Sequence, residues 1–292
     1  MQVFNEDLFF MIASPVYAVI IVSEIILSNI YKKGWYSLTG TFENLWIMTA
    51  ALLLDIAMRF VALFVMNYFF EFRFLEIENM ILYWILLVIF EDFVFWFLHW
   101  VDHYVRLFWA VHITHHNSEE YNLTIGLRSS LLEPLYRFIY FIPIVLLGFK
   151  PIDILVIFSL TQWYGILVHT QAIKKLGPVE WLFVTPSHHR VHHGSNIRYL
   201  DKNMGMFLII WDRIFGTYEN ETEPVKYGIT ENIRSHDPRK VIFNEFVNIW
   251  NDVRNAPGIY NKFMYIFGPP GWSHDGSKMT SRQLRKQQIA KK

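Results

Sequence analysis

Five apolar segments, most of them near the ~20 residues that a helix needs to cross a bilayer, leave few folds open to this chain. They run approximately from Leu8 to Ile30, Leu45 to Phe70, Ile81 to His99, Tyr136 to Phe149 and Ile152 to Val168. The second carries Asp55 and Arg59, four residues apart and so on one helix face, where each neutralises the other. The third carries Glu91 and Asp92. The fourth and fifth are joined by the short break Gly148-Phe149-Lys150-Pro151 and read as a helical hairpin; the fourth is short for a full span, so a re-entrant pair is the alternative. The expected fold class is all-α: an integral membrane helical protein.

Composition agrees. Of 292 residues, 53% are hydrophobic and 18% charged, against about a quarter charged in soluble domains. Net charge is zero, so nothing in the bulk balance points to nucleic acid. There is no cysteine, which excludes disulfide frameworks, thiolate zinc sites, iron–sulfur clusters and cysteine nucleophiles. Any metal must be held by nitrogen or oxygen.

Basic residues near the span ends set an expected orientation. Lys32 and Lys33 follow the first segment, whereas Glu6 and Asp7 precede it, so the amino terminus is expected outside the cytoplasm and the first segment as a retained anchor. The loop from Glu71 to Glu78 is acidic, as an outer loop is. From Lys278 onward there are six basic and no acidic residues, which fits a cytoplasmic, headgroup-binding tail. The stretches Met204–Tyr218 and Val241–Val253 mix aromatic and charged residues and are expected as interfacial helices. Asn122-Leu123-Thr124 and Asn220-Glu221-Thr222 match the glycosylation pattern but fall on the expected cytoplasmic side.

The chemistry lies in the histidines. Ten of the twelve fall between His99 and His193, in three clusters plus one: His99 and His103; His112, His115 and His116; His188, His189, His192 and His193; and His169 at the end of the fifth segment. Positions three or four apart share a helix face, so each cluster aims two or three imidazoles at one point. Thr185-Pro186 before the third cluster and Gly194 after it read as a helix start and stop. Asp92, seven residues before His99, is a candidate acceptor for an imidazole N–H. His236 and His274 have no clustered partner and read as surface residues.

A lone histidine at a helix end is more often a core residue than a ligand, but neutral imidazoles gain nothing from crowding unless something binds them. Eight to ten histidines exceed what one tetrahedral zinc uses, so two metals are expected in a histidine-rich helical cap on the cytoplasmic face. No His-Glu-x-x-His or Glu-x-x-His pair occurs, against zinc peptidases and ferritin-like di-iron proteins. Imidazole suits zinc, copper, iron and nickel, so the ligands alone do not choose the metal; two irons in an all-nitrogen shell at a membrane surface would point to dioxygen chemistry on a lipid. Three classes stay open: a monooxygenase, a desaturase, and a haem-bearing or metal-storing membrane protein.

At these residues the chain resembles the fatty acid hydroxylase and sterol desaturase superfamily of integral membrane di-iron enzymes. The patterns His-x3-His, His-x2-His-His and a final His-x2-His-His carry the resemblance. The stretches HITHHNSEEYNLTIGLRSS (His112 to Ser130), LGPVEWLFVTPSHHRVHHGSN (Leu176 to Asn196) and DKNMGMFLIIWDRIFGTYENE (Asp201 to Glu221) are similar to its ether-lipid-cleaving branch. The resemblance implies a metal-ligand set of His99, His103, His112, His115, His116, His189, His192 and His193, joined by His169 and by His188, which stands just before the final motif. It implies two iron ions, O2, a lipid substrate drawn from the bilayer and an external electron donor, with tetrahydrobiopterin as the reductant of that branch. The implied organisation is anchor helices over residues 1–80, a catalytic domain over 81–221, and an interfacial segment with a basic tail over 222–292.

Overall fold

The computed structural model describes residues 6–233 and 235–290; Lys291 and Lys292, the end of the expected basic tail, lie outside the described residues. Twelve α-helices follow one another among them: α1 (Glu6–Ile30), α2 (Leu38–Phe70), α3 (Met80–Tyr104), α4 (Arg106–His116), α5 (Leu123–Leu127), α6 (Arg137–Leu146), α7 (Pro151–Val168), α8 (Pro186–His192), α9 (Ile210–Phe215), α10 (Pro238–Asn255), α11 (Gly258–Phe267) and α12 (Ser281–Ala290). No strand occurs among the described residues, only isolated bridges between Phe183 and Leu208 and between Gly194 and Tyr227.

Four of these helices, α1, α2, α3 and α7, are long and apolar enough to cross a membrane. The first two are apolar on every side, and side chains such as Val19, Leu53, Phe60 and Phe64 remain exposed, which suits a lipid environment and not water. Ser37 caps α2 by accepting from the Gly40 N–H at 3.0 Å, and Asn79 caps α3 by accepting from Leu82 at 3.0 Å. α6 has only ten residues and contains Pro143; at about 1.5 Å per residue it falls well short of a hydrocarbon core of about 30 Å. The α6–α7 pair is therefore a hairpin with one short arm. Its turn needs Gly148, whose φ is +97° and where a Cβ would stand 2.2 Å from the Leu75 carbonyl oxygen.

The packed interior lies between α2, α3, α6 and α7, around Met66, Leu87, Phe141, Val145, Phe149 and Ile154. Asp55 and Arg59 pair at 2.9 Å as the spacing predicts. Arg59 also donates to the Ser159 hydroxyl, and Arg137 joins Asp55 to Glu133.

The basic segment after α1 and helix α12 gather at one end of the bundle. The Trp35 carbonyl, just after Lys32 and Lys33, accepts from Asn122, and Ser37 N–H donates to Glu120, close behind the second histidine cluster. In α12, Arg285 donates to the Leu200 carbonyl and Ser281 to Asp201, beside the third cluster. The acidic 71–79 loop packs at the other end, with the Phe74 N–H on the Leu146 carbonyl.

One expectation changes. Met204–Tyr218 is not one helix: only Ile210–Phe215 is helical. The backbone before it is irregular, its amides captured by Asp92 and Asp212, as described below. Asn122 is unsuited to glycosylation on either side, because it is buried with its amide bonded to Trp35 and Thr124.

Candidate metal centre

Four helix ends bring the histidines together. α3 delivers His99 and His103 from successive turns, and the chain reverses at Val105 so that α4 returns His112, His115 and His116. His169 caps the end of α7, and α8 with its cap supplies His189, His192 and His193. All nine are buried.

They sort into two adjacent groups. Ring nitrogens of His99, His103, His112, His116 and His192 lie within 4.8 Å of one another, and so do those of His115, His169, His189 and His193. The groups touch where the His116 and His193 rings stack at 4.3 Å. Within the first, the His112 Nε2 stands 3.1 Å from His99 Nε2 and 3.0 Å from His116 Nε2. Within the second, His169 Nε2 stands 3.2, 3.1 and 2.9 Å from Nε2 of His115, His193 and His189.

The far side of each ring explains why Nε2 points inward. His99, His115, His169 and His192 set Nδ1 against the carbonyls of Met204, Arg128, Gly165 and Lys202, at 2.7, 2.8, 2.6 and 3.0 Å. A carbonyl only accepts, so each Nδ1 must carry the proton, and each Nε2 is then a bare lone pair. The Nε2 atoms of His115 and His169 thus oppose lone pair to lone pair at 3.2 Å, a repulsive contact unless a cation sits between them. The Nε2 atoms of His103 and His192 are buried with no hydrogen-bond partner. Both features fit metal ions. Two nitrogens bound at about 2.1 Å are about 3.0 Å apart at a right angle and about 3.4 Å apart at the tetrahedral angle. The five nitrogens of the first group also exceed what one tetrahedral zinc uses.

Burial foremost, and then crowding by neighbouring imidazoles, hold His112, His116, His189, His192 and His193 well below the ordinary histidine range. Burial pushes His115 down to about 4, although its bond to the Arg128 carbonyl works in the opposite direction. These six rings are therefore neutral at pH 7, the form that binds metal.

His188 does not join either group. Its Nδ1 accepts from the Thr185 N–H at 3.3 Å, completing a capping box on α8, and its ring packs near Tyr218. It departs from the expected ligand set because it lies at the N3 position, where reaching back to the cap turns the ring away from the face shared by His189, His192 and His193. Asp92 also differs from its expected role. It touches no imidazole and accepts from the Phe207 and Leu208 amides and the Trp211 indole. His236 is exposed and rests on Glu43, and His274 is exposed beside Tyr265.

Several supporting residues lie beyond the reach of spacing arguments. Asp212 accepts from the Met204 and Gly205 amides, both at 2.8 Å, and from Thr217 and Trp96, so it fixes the carbonyl that orients His99. Arg128, fully buried, binds Glu43, Asn44, Asn117 and the Thr114 carbonyl, and so places its own carbonyl on His115. Gly126 lets α5 approach α7, since a Cβ there would meet His169 Nδ1 at 3.0 Å. Asp201 and Asn203 adopt left-handed backbone, φ 50° and 54°. Such geometry in non-glycine residues concentrates at functional loops; only the Asp-Lys-Asn turn composition hinted at it.

A cavity of about 490 Å³ opens onto His103, His116, His192 and His193. Trp109, Ile113 and Leu200 give it apolar walls, and Glu231, Asn244 and Asn248 give it polar ones.

Residues 84–217 match the fatty acid hydroxylase family. Human alkylglycerol monooxygenase is 44% identical over 182 residues, covering 62% of this chain and 40% of that protein. The zebrafish (Danio rerio) alkylglycerol monooxygenase is 34% identical over 265 residues, 89% of this chain and 59% of its own length. Ornithine lipid hydroxylase OlsE of Rhizobium tropici is 29% identical over 146 residues, 49% of this chain and 44% of that protein. The chain thus spans roughly half the length of the curated relatives it matches. No solved structure matches. All nine clustered histidines fall inside the matched segment, and residues 84–217 of this multi-helix membrane protein are a fatty acid hydroxylase domain, related to the alkylglycerol monooxygenases.

Proposed function

We propose that the protein is a membrane di-iron monooxygenase that hydroxylates a C–H bond of a lipid, and that its preferred bond is the one beside the oxygen of an alkyl glycerol ether. The observation that carries this reading is the pair of abutting histidine groups, five and four, reached from one cavity, in a domain similar to alkylglycerol monooxygenases. His99, His103, His112, His116 and His192 hold one iron, and His115, His169, His189 and His193 the other. The iron pair supplies reductive activation of dioxygen. The protein's own residues do the rest: the carbonyls on Nδ1 of His99, His115, His169 and His192 keep those four Nε2 atoms free for metal, and the enclosing helices exclude water.

Oxygen insertion beside an ether oxygen gives a hemiacetal, which collapses to an aldehyde and an alcohol. One oxygen atom of O2 enters the product and the other leaves as water, with two electrons and two protons from an external donor. Tetrahydrobiopterin is the donor we favour. The cavity receives the polar end of the lipid, its amide and carboxylate side chains bonding hydroxyl groups while Trp109 and Ile113 meet the first methylenes. Residues 81–221 form the catalytic unit, with 1–80 as anchor and 222–292 as interfacial cover. α10 supports that last role: Asn244 and Asn248 face the cavity, while Phe243, Val247 and Trp250 are exposed on the other side. Lys32, Lys33 and α12 share the histidine end of the bundle, so we assign that end to the cytoplasm.

Purified protein, assayed with O2, tetrahydrobiopterin and an alkylglycerol, is expected to hold two irons per chain and to release a fatty aldehyde. One zinc per chain, or aldehyde release independent of O2, would overturn the reading. The likeness to an ornithine lipid hydroxylase favours a second outcome, hydroxylation without cleavage. A stable hydroxylated lipid in the same assay would select it, and an alkene product would point to a desaturase.

A further inference from the structure

His112 is the centre of the five-histidine group, with Nε2 within 3.1 Å of the Nε2 atoms of both His99 and His116. Unlike the four rings seated on carbonyls, its Nδ1 faces two side chains: the Ser130 hydroxyl at 3.1 Å and the Asp102 Oδ2 at 3.8 Å. A hydroxyl either donates or accepts, so Ser130 leaves the tautomer of His112 undecided. If Ser130 donates, the proton sits on Nε2 and points at His99. A metal at the group requires the other tautomer, with the proton on Nδ1.

Asp102 is buried and its Oδ2 has no hydrogen-bond partner, while Oδ1 is held by the Tyr136 hydroxyl at 2.8 Å. A buried carboxylate oxygen left bare is costly, and the nearest group to satisfy it is the His112 Nδ1. A movement of about 1 Å brings 3.8 Å to the ordinary N–H···O distance. Nothing in the iron-binding reading uses this oxygen.

We propose that Asp102 is a positioning residue for the five-histidine site: its Oδ2 takes the Nδ1–H of His112 and thereby keeps the central Nε2 unprotonated and aimed at the metal. This rests on the reading that the group holds iron. Tyr136 fixes the carboxylate from behind, and α3 carries Asp102 beside the ligand His103, so one helix turn supplies both a ligand and the group that orients a ligand on α4. Asp102 and Glu133 oxygens also lie within 4.8 Å of a His112 ring nitrogen, which makes a small third cation the rival explanation.

The test compares the full-length wild type with Asp102→Asn and Ser130→Ala, purified in detergent and loaded with iron-57. Asp102→Asn is nearly isosteric, but its amide sets the wrong hydrogen-bonding polarity or at best a neutral acceptor. Its expected signature is one iron of the two held about 10- to 100-fold more weakly in chelator competition, with one of two Mössbauer subspectra altered and the other unchanged. Ser130→Ala removes the competing donor and is expected to keep both ions. Unchanged iron retention and spectra in Asp102→Asn would overturn the proposal, as would weakened retention in Ser130→Ala alone. A third ion in the wild type, lost in Asp102→Asn while two remain, would overturn it in favour of a separate cation site. A wild type that holds no iron would sink the di-iron reading and the proposal with it, whereas two irons insensitive to Asp102→Asn would sink the proposal alone. Should Asp102→Asn fail to fold, Tyr136→Phe, which frees the carboxylate to rotate, carries the same expectation with a smaller shift.

Discussion

The two histidine groups are built differently: α4 and α8 supply rings to both, but α3 serves only the five-histidine group and α7 only the four-histidine one. In the four-histidine group, His115 and His169 rest on backbone carbonyls and none but His193 meets the cavity. In the five-histidine group, His99 and His192 also rest on carbonyls, but His103 and His112 face the side chains of Asp201, Ser130 and Asp102, and His103, His116 and His192 all line the cavity. Backbone-seated rings are fixed by the fold itself. Side-chain-seated rings can be tuned by substitution. The enclosed group reads as the anchor of the centre and the open one as the face presented to substrate.

The largest expected effect comes from removing the central ring of each group. His112→Ala and His169→Ala should each lower activity by more than roughly 100-fold, beyond what loss of an outer partner does. Metal analysis should show iron lost first from the group that was cut. If either substitution empties both groups together, the anchor and the open face are one unit and the comparison fails.

Asp212→Ala comes next. It strands the Met204 and Gly205 amides and the Trp96 indole, each buried. A loss of about 2–4 kcal/mol is expected from stranded donors, read as a lower midpoint of thermal unfolding in detergent. Iron should weaken in the five-histidine group, which depends on the Met204 carbonyl, and not in the other.

Gly126→Ala tests the opposite side. The added Cβ would stand 2.9 Å from the Ile166 Cα and 3.0 Å from His169 Nδ1, neither of which gives way easily. About 1–3 kcal/mol of destabilisation is expected from overpacking. Chelator competition should show weaker iron in the four-histidine group alone. An equal loss from both would mean that His169 is braced through its neighbours and not through α5.

The smallest effect is expected for His188→Ala. Because this ring caps α8 and lies outside both groups, iron should stay at two per chain and unfolding should shift by about 1 kcal/mol, the value of a helix cap. Loss of an iron would restore His188 to the ligand set.

Much of this was legible in the linear pattern. Apolar runs near the length of a bilayer span mark α1, α2, α3 and α7, because hydrocarbon accepts only segments that satisfy their own backbone. The four-residue spacing of Asp55 and Arg59 places their ion pair, and spacings of three and four place the histidines on shared faces. Local rules failed where two helices compete for one backbone. Met204–Tyr218 has the composition of an interfacial helix, yet Asp92 and Asp212 each capture its amides and hold its first half out of the helix. His188 has ligand spacing, but its ring turns back to accept the Thr185 N–H, a contact that spacing alone does not show.

Taken alone, the order of residues determined that the chain is helical and apolar enough to span a membrane, and that its histidines come in helix-face clusters. It did so because both properties depend on neighbours within a turn or two. Only the tertiary structure decided how nine of the ten divide into five and four, which ring nitrogen each turns inward, and that His188 turns away. Those outcomes depend on carbonyls and carboxylates brought in from as far as Met204 and Arg128, and a ring is aimed by whatever accepts the proton on its far side.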